Sequence, residues 1–227
     1  TRRVTIPEGL TRREVAGLLH QHGVVDSARF AELSQDSSFI RQLGLEVPTL
    51  EGYLFPETYF FALATSEAEA IQLMVGQFRK VFSDSLQARL PIVGLTLHQA
   101  VTLASMVERE ARVQEERPII SGIFQRRLRL DRRLESCATV EYALGVHKQH
   151  LTSEDLQVDS PFNTYRHRGL PPGPIGNSGR AALLATLYPA QTPYLYFVAR
   201  GDGTHIFSRT HKEHEQARRQ VQGAQAE

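Results

Sequence analysis

The sequence predicts an α+β fold, with helices packed on a small antiparallel sheet behind a small N-terminal βα subdomain, and three observations carry that prediction. Capping boxes open two amphipathic stretches, at Thr11–Glu14 and Thr96–Gln99. In each, the threonine hydroxyl and the side chain three residues later satisfy first-turn backbone N–H groups that have no helical partner. The short apolar stretch Val4 to Ile6 stands before the first of these as a strand. Near the other end, PYLYFVARGDGTHIFS has the form of a β-hairpin: an apolar strand, a Gly201-Asp202-Gly203 turn and a second strand through Ile206 and Phe207.

Taken in order, the Pro7-Glu8-Gly9 turn leads to a helix from Thr11, with Val15, Leu18 and Leu19 on its apolar face and Gly23 as its stop. A second helix follows Asp26 through Phe30 and Leu33. A boundary near residue 50 separates this subdomain, 1–50, from the main domain, 51–227. LEGYLFPETYFFA is then an extended segment or edge strand, since Pro56 cannot donate to a sheet ladder. Thr65-Ser66 begin a long helix through Phe78 that ends near Leu90-Pro91. The helix capped at Thr96 follows, and another starts at Pro118 behind the acidic pair Glu115-Glu116, which suits the positive end of a helix dipole. LESCATVEYALG is a loop into a short helix ending at Gly145, and Thr152 to Asp155 begin a further helical piece. SPFNTYRHRGLPPGPIGNSG, with four glycines and four prolines, is a long structured loop of the kind that carries function. Asn177-Ser178 cap a helix through Leu187, and a last helix runs from about Thr210 to Arg219 before a frayed tail.

Composition excludes several classes. Of the 227 residues, 41% are hydrophobic and 22% charged, which is ordinary for a globular chain with a normal core. A net charge of +1 gives no global attraction to nucleic acid or an anionic membrane. The arginines between Arg126 and Arg133 are the solvated side of a helix whose inner face is Ile119, Ile120, Ile123, Phe124 and Leu128. The single cysteine, Cys137, forbids an internal disulfide. No apolar run approaches the roughly 18 residues of a membrane span, and the start at Thr1 points to a processed protein or an excised piece, with any leader or anchor upstream.

The stretch LASMVEREA holds two glutamates of different phase. Leu97, Ala100, Val101, Ala104, Val107, Glu108 and Ala111 fall on one stripe of a helix, so Glu108 faces the core, while Glu110, about 200° round, points to the polar side with Arg109. An apolar surround raises a carboxyl pKa and makes Glu108 a candidate general acid. The alternative is a salt bridge to Arg112, one turn further along.

Several long blocks, in order, make the chain resemble the endolytic murein transglycosylases, the YceG-like family of bacterial cell-wall enzymes. They are EGYLFPETY, LASMVEREA, ERPIISGIFQRRLRL, LESCATVEYALG, SPFNTYRHRGLPPGPIGNSG and YPAQTPYLYFVARGDGTHIFSRTHKEH. The resemblance implies a catalytic domain over 51–227, preceded by the end of a LysM-like region, in a single-pass inner-membrane protein whose catalytic domain is periplasmic and whose anchor is absent here. It implies peptidoglycan glycan strands as substrate, penicillin-binding proteins as partners and no cofactor. It gives catalysis to the first glutamate of its block, Glu108. Where the family has Leu-Gln-(Ser/Thr)-Asp-(Pro/Ala)-Thr-Val, this chain has Leu134-Glu135-Ser136-Cys137-Ala138-Thr139-Val140, so Glu135 keeps an acceptor and loses the amide donor.

The reaction so implied cuts the β-1,4 bond from N-acetylmuramic acid to N-acetylglucosamine with the muramic acid's 6-hydroxyl as nucleophile, so one acid–base carboxyl suffices where hydrolytic glycosidases generally need two. Asn163 and Tyr165 are the favoured cleft residues, with Glu57, Glu135, Ser136 and Thr139 behind them. Tyr165 equally suits loop packing, and Glu57 a structural carboxylate. A metal site from His205, His211, His214 and Glu213 lacks any recognised ligand spacing. Cys137 as nucleophile is similarly weak, because a lone cysteine in an apolar context is usually packed. The rival function is a non-catalytic glycan-binding or scaffolding module of the wall-synthesis machinery.

Overall fold

The computed structural model describes residues 1–148 and 151–224. In chain order the elements are β1 (Arg2–Thr5), α1 (Arg12–Gln21), α2 (Ser27–Leu33), α3 (Ser37–Gln42), β2 (Thr58–Phe61), α4 (Glu67–Val81), α5 (Asp84–Gln87), α6 (Leu90–Val93) and α7 (Leu97–Glu110). There follow α8 (Arg117–Arg129), α9 (Cys137–Leu144), α10 (Arg180–Leu187), β3 (Tyr196–Ala199), β4 (His205–Ser208) and α11 (His211–Ala224). The fold is α+β, with two separate two-stranded antiparallel sheets among the described residues where one had been expected. β1 pairs with β2 in the register Val4↔Tyr59, and β3 with β4 in the register Phe197↔Phe207.

Helix α7 is the axis of the molecule. It packs on α8 and α10, and every residue from Ala100 to Val107 is buried. Its two polar residues in that run satisfy themselves at short range, Thr102 Oγ1 donating to the His98 carbonyl at 2.7 Å and Ser105 Oγ to the Thr102 carbonyl at 2.7 Å. A helix covered on all sides has no solvated face. The one-stripe reading therefore fails here, and with it the outward placement of Glu110. Ala111 is already extended, so Arg112 lies beyond the helix, exposed, and does not reach Glu108.

The N-terminal elements join this core. α1 packs on α2, α2 on α4, and β1 pairs with a strand beyond residue 50. The 160–179 loop is stitched down at its far end: the Ile175 N–H donates to Ser105 Oγ at 2.9 Å, and Asn177 bonds the Leu54 N–H and the Leu10 carbonyl. The β3–β4 hairpin lies beneath α11 and sets Phe197 edge-on to Phe124 of α8, 5.7 Å between centroids.

Several boundaries differ from expectation. α4 stops at Val81, because Phe82 turns inward to the core and Ser83 opens a new turn, leaving Pro91 in the first turn of α6. α3, capped by Asp36, was not foreseen. The N-cap of α10 is Gly179, since Asn177 is engaged elsewhere. α11 continues to Ala224. Arg127 is buried, its guanidinium held by the carbonyls of Leu195, Arg133 and Leu134, so it does not belong to a solvated face. No single helix among the described residues is long and apolar enough to cross a membrane.

Candidate active site

The last turn of α7 presents its two glutamates to different cavities. Glu108 is only 6% exposed in its side chain. Its Oε1 accepts from Arg117 Nη2 at 2.9 Å and its Oε2 from the Gly179 N–H at 2.9 Å. It faces a small cavity of about 280 Å³ shared with Glu8 and Gly9 of the N-terminal turn. Glu8 there is raised above the usual carboxylate range, first by burial and then by the charge of Glu108. Glu108 thus fastens three segments together: α7, the start of α8 and the start of α10.

Glu110 turns the other way, into a cleft of about 970 Å³. Ser136 Oγ donates to Glu110 Oε1 in a short hydrogen bond, and the Ala138 N–H faces the same carboxylate. Burial raises the Glu110 pKa, while the Ser136 hydroxyl, His205 whenever its ring is protonated, and the Ala138 amide oppose that rise. Ser136 is the N-cap residue of α9, yet its hydroxyl makes no capping bond and is spent on Glu110 instead. The carboxyl is therefore largely desolvated and held in one orientation on the wall of this cleft.

Around Glu110 the cleft wall includes Glu135, Cys137, Tyr165, Tyr196 and His205. The Tyr165 hydroxyl lies 3.2 Å from Cys137 Sγ; the cysteine is exposed at the cleft and not packed as expected, but desolvation of its thiol and of the Tyr165 hydroxyl raises both groups, so both stay protonated. A neutral thiol is a poor nucleophile. Glu135, at φ +53, swings its carboxylate to Arg127 Nη1 at 3.1 Å, with 45% of the side chain still exposed at the cleft. The amide donor missing at 135 is thus replaced by an ion pair with a buried arginine.

The remaining candidates are placed as follows. Asn163 is fully buried; its Nδ2 donates to the Leu156 and Val158 carbonyls and its Oδ1 accepts from the Tyr165 N–H, so it shapes the loop behind Tyr165 and does not line the cleft. Thr139 is likewise buried, bonded to the Ser136 carbonyl and to Thr164 Oγ1. Glu57 is exposed at the start of β2, its carboxylate on the Thr58 N–H, apart from the cleft. His211 and His214 flank the ring of Tyr196, and no group of three metal-ligating side chains is found among the described residues.

Sequence reasoning missed Glu110, Arg117 and the pair His205–Glu116. The signal for Glu110 was present: from Ala100 to Val107 the only polar residues are Thr102 and Ser105, both small and able to bond their own helix, so no side of α7 was built for water. The partners of these residues come from distant segments and leave no local pattern.

Comparison with known proteins identifies the family. The chain is 34% identical, over 95% of its length, to an endolytic murein transglycosylase of Bacillus subtilis, and covers 64% of that protein. It is 31% identical, over 86% of its length, to one from Streptococcus pneumoniae serotype 2, covering 40% of it. It thus spans less than two thirds of the curated relatives it matches. The crystal structure of a YceG-like protein from Listeria monocytogenes superposes with a TM-score of 0.87 at 35% identity, over 95% of this chain and 76% of that one. With residues 1–220 matching the family profile as well, the chain belongs to the YceG-like family.

Proposed function

We propose that the protein is an endolytic lytic transglycosylase of peptidoglycan, cutting the β-1,4 bond between N-acetylmuramic acid and N-acetylglucosamine inside a glycan strand and leaving a 1,6-anhydro end. The relatives named endolytic murein transglycosylase support the substrate. The observation that carries the chemistry is the buried Glu110 carboxyl, oriented by Ser136 and open to the large cleft. A carboxyl whose pKa is raised by burial keeps a proton to give to the leaving oxygen. The 6-hydroxyl of the same sugar is already tethered to the reacting carbon, so intramolecular attack replaces the second carboxylate that would activate a water. Glu110, not Glu108, is the acid in this reading, because both oxygens of Glu108 are already engaged by Arg117 and Gly179. The substrate lies outside the cytoplasmic membrane, so this domain works on the extracytoplasmic side, held by an upstream membrane anchor near the penicillin-binding proteins that make the strands.

The test is product analysis. Purified glycan strands are incubated with the wild type, Glu110→Gln and Glu108→Gln, and the fragments are weighed by mass spectrometry. Wild type should release anhydro-ended internal fragments, Glu110→Gln should lose about 10²–10⁴-fold in rate while staying folded, and the folded fraction of Glu108→Gln should remain active. A folded wild type that binds strands without cutting them would make the domain a binding module. Loss in Glu108→Gln with activity kept in Glu110→Gln would reverse the assignment.

A further inference from the structure

Glu116 grips His205 twice. Its Oε2 accepts from the imidazole Nδ1 at 2.7 Å, and its Oε1 accepts from the His205 backbone N–H at 3.1 Å. Both side chains are nearly buried, 6% and 13% exposed. The ring is fixed further by Phe197, edge-on at 5.4 Å between centroids. A carboxylate accepting from Nδ1 sets the tautomer of the neutral ring: Nδ1 carries the proton and Nε2 keeps a lone pair. Nε2 has no hydrogen-bond partner among the described residues, and it is not sealed from solvent. The ring lines the same cleft as Glu110, close enough that an imidazolium formed there favours the ionised carboxylate.

We propose that His205 is a second catalytic residue, the base that takes the proton of the muramic acid's 6-hydroxyl as that oxygen attacks the anomeric carbon. The proposal rests on the transglycosylase reading and moves the base half of the chemistry from Glu110 to His205. The bond from the anomeric carbon to the leaving oxygen breaks, and that oxygen takes its electron pair and the Glu110 proton. The 6-oxygen bonds to the anomeric carbon, and its proton passes to Nε2. The imidazolium so formed faces Glu116 and the newly ionised Glu110. Return of its proton to Glu110 restores both groups, with no water consumed and no co-reactant needed. A carboxylate that orients an imidazole and stabilises its charged form is a recurring device for activating a hydroxyl.

The test compares His205→Asn with wild type on purified glycan strands. The asparagine amide reaches the place of Nδ1 and keeps the bond to Glu116, while Nε2 is deleted. The expected result is a folded protein with little change in KM, kcat lower by about 100-fold, and a larger share of fragments ending in a free reducing sugar, because water competes once the 6-hydroxyl loses its base. A merely structural histidine would leave that product ratio alone. Should His205→Asn fail to fold, Glu116→Gln keeps the shape and removes the charge facing the imidazolium, and should lower kcat by about tenfold or more. Turnover within a few-fold of wild type and an unchanged anhydro share, in whichever of these variants folds, would overturn the proposal. Absence of anhydro ends from wild type would instead sink the transglycosylase reading itself.

Discussion

Ser136 donates its hydroxyl hydrogen to Glu110, so the residue that opens α9 also holds the carboxyl that ends α7. That bond favours the ionised carboxylate and works against the burial that raises its pKa. Removing it in Ser136→Ala leaves burial less opposed, and the pKa of Glu110 rises further. Since the acid must start protonated, activity falls as pH climbs through its folded-state pKa. The alkaline limb of the pH–rate profile should therefore move to higher pH in Ser136→Ala. A limb that stays put or moves down would show that another group governs it.

Glu108 should matter to stability where Glu110 matters to rate. Glu108→Ala strips the buried Arg117 guanidinium of its carboxylate and the Gly179 N–H of its acceptor. Breaking a buried pair from one side costs about 3–5 kcal/mol, which in a domain of this size is a fall in Tm of roughly 6–20 °C. Calorimetry of Glu108→Ala beside Glu110→Ala reads this directly. Equal melting temperatures would deny Glu108 its fastening role.

The elements themselves were largely legible because their signals are local. Thr11, Ser66 and Thr96 each form the reciprocal bonds of a capping box, Gly145 ends α9 in the left-handed region, and the Gly201-Asp202-Gly203 turn joins two paired strands. The orientation of Glu110 was not legible in the same way. Helix phase says which residues share a side, but only tertiary packing decides how many sides are covered, and from Ala100 to Val107 α7 is covered on all of them. Asn163 shows the same limit inverted, since a polar residue in a Gly/Pro loop suits a sugar contact and a local backbone bond equally, and the three bonds that decide it go to Leu156 and Val158 just before the loop and to Tyr165 within it. His205 and Glu116 lie in separate segments, and nothing in either announces the other.

A pH effect on stability is built in at Glu51. This carboxyl accepts from the Arg12 N–H, the Tyr142 hydroxyl and Asn177 Nδ2, tying α1, α9 and the 160–179 loop together. Burial pushes it from its ordinary 4.5 up to about 7. Between those values the folded state holds a proton that the unfolded state has lost, so stability falls as pH rises across this window. The loss amounts to roughly 3 kcal/mol when the folded pKa has been passed. Glu51→Gln has no such proton to lose, so relative to wild type it should gain stability from pH 4.5 to above 7. Denaturant titrations of both proteins at pH 5 and pH 8 test this, and a constant difference would mean that Glu51 titrates normally.

Gly52 is the point where backbone conformation and close packing coincide. Its φ is +87, and a Cβ there would lie 2.6 Å from Pro174 Cγ and 2.7 Å from Val101 Cγ1. Neither neighbour yields easily, because Pro174 is a ring in the stitched-down loop and Val101 lies on the buried axis α7. Gly52→Ala therefore incurs both the left-handed backbone cost and overpacking, together about 2–5 kcal/mol, or roughly 4–20 °C in Tm. Gly76, inside α4 with open space around its Cβ position, is the matched contrast. There the same substitution improves helix propensity and should stabilise by up to about 1 kcal/mol. Opposite signs in parallel thermal melts are the expected result, and a neutral Gly52→Ala would mean that the loop over α7 is free to shift.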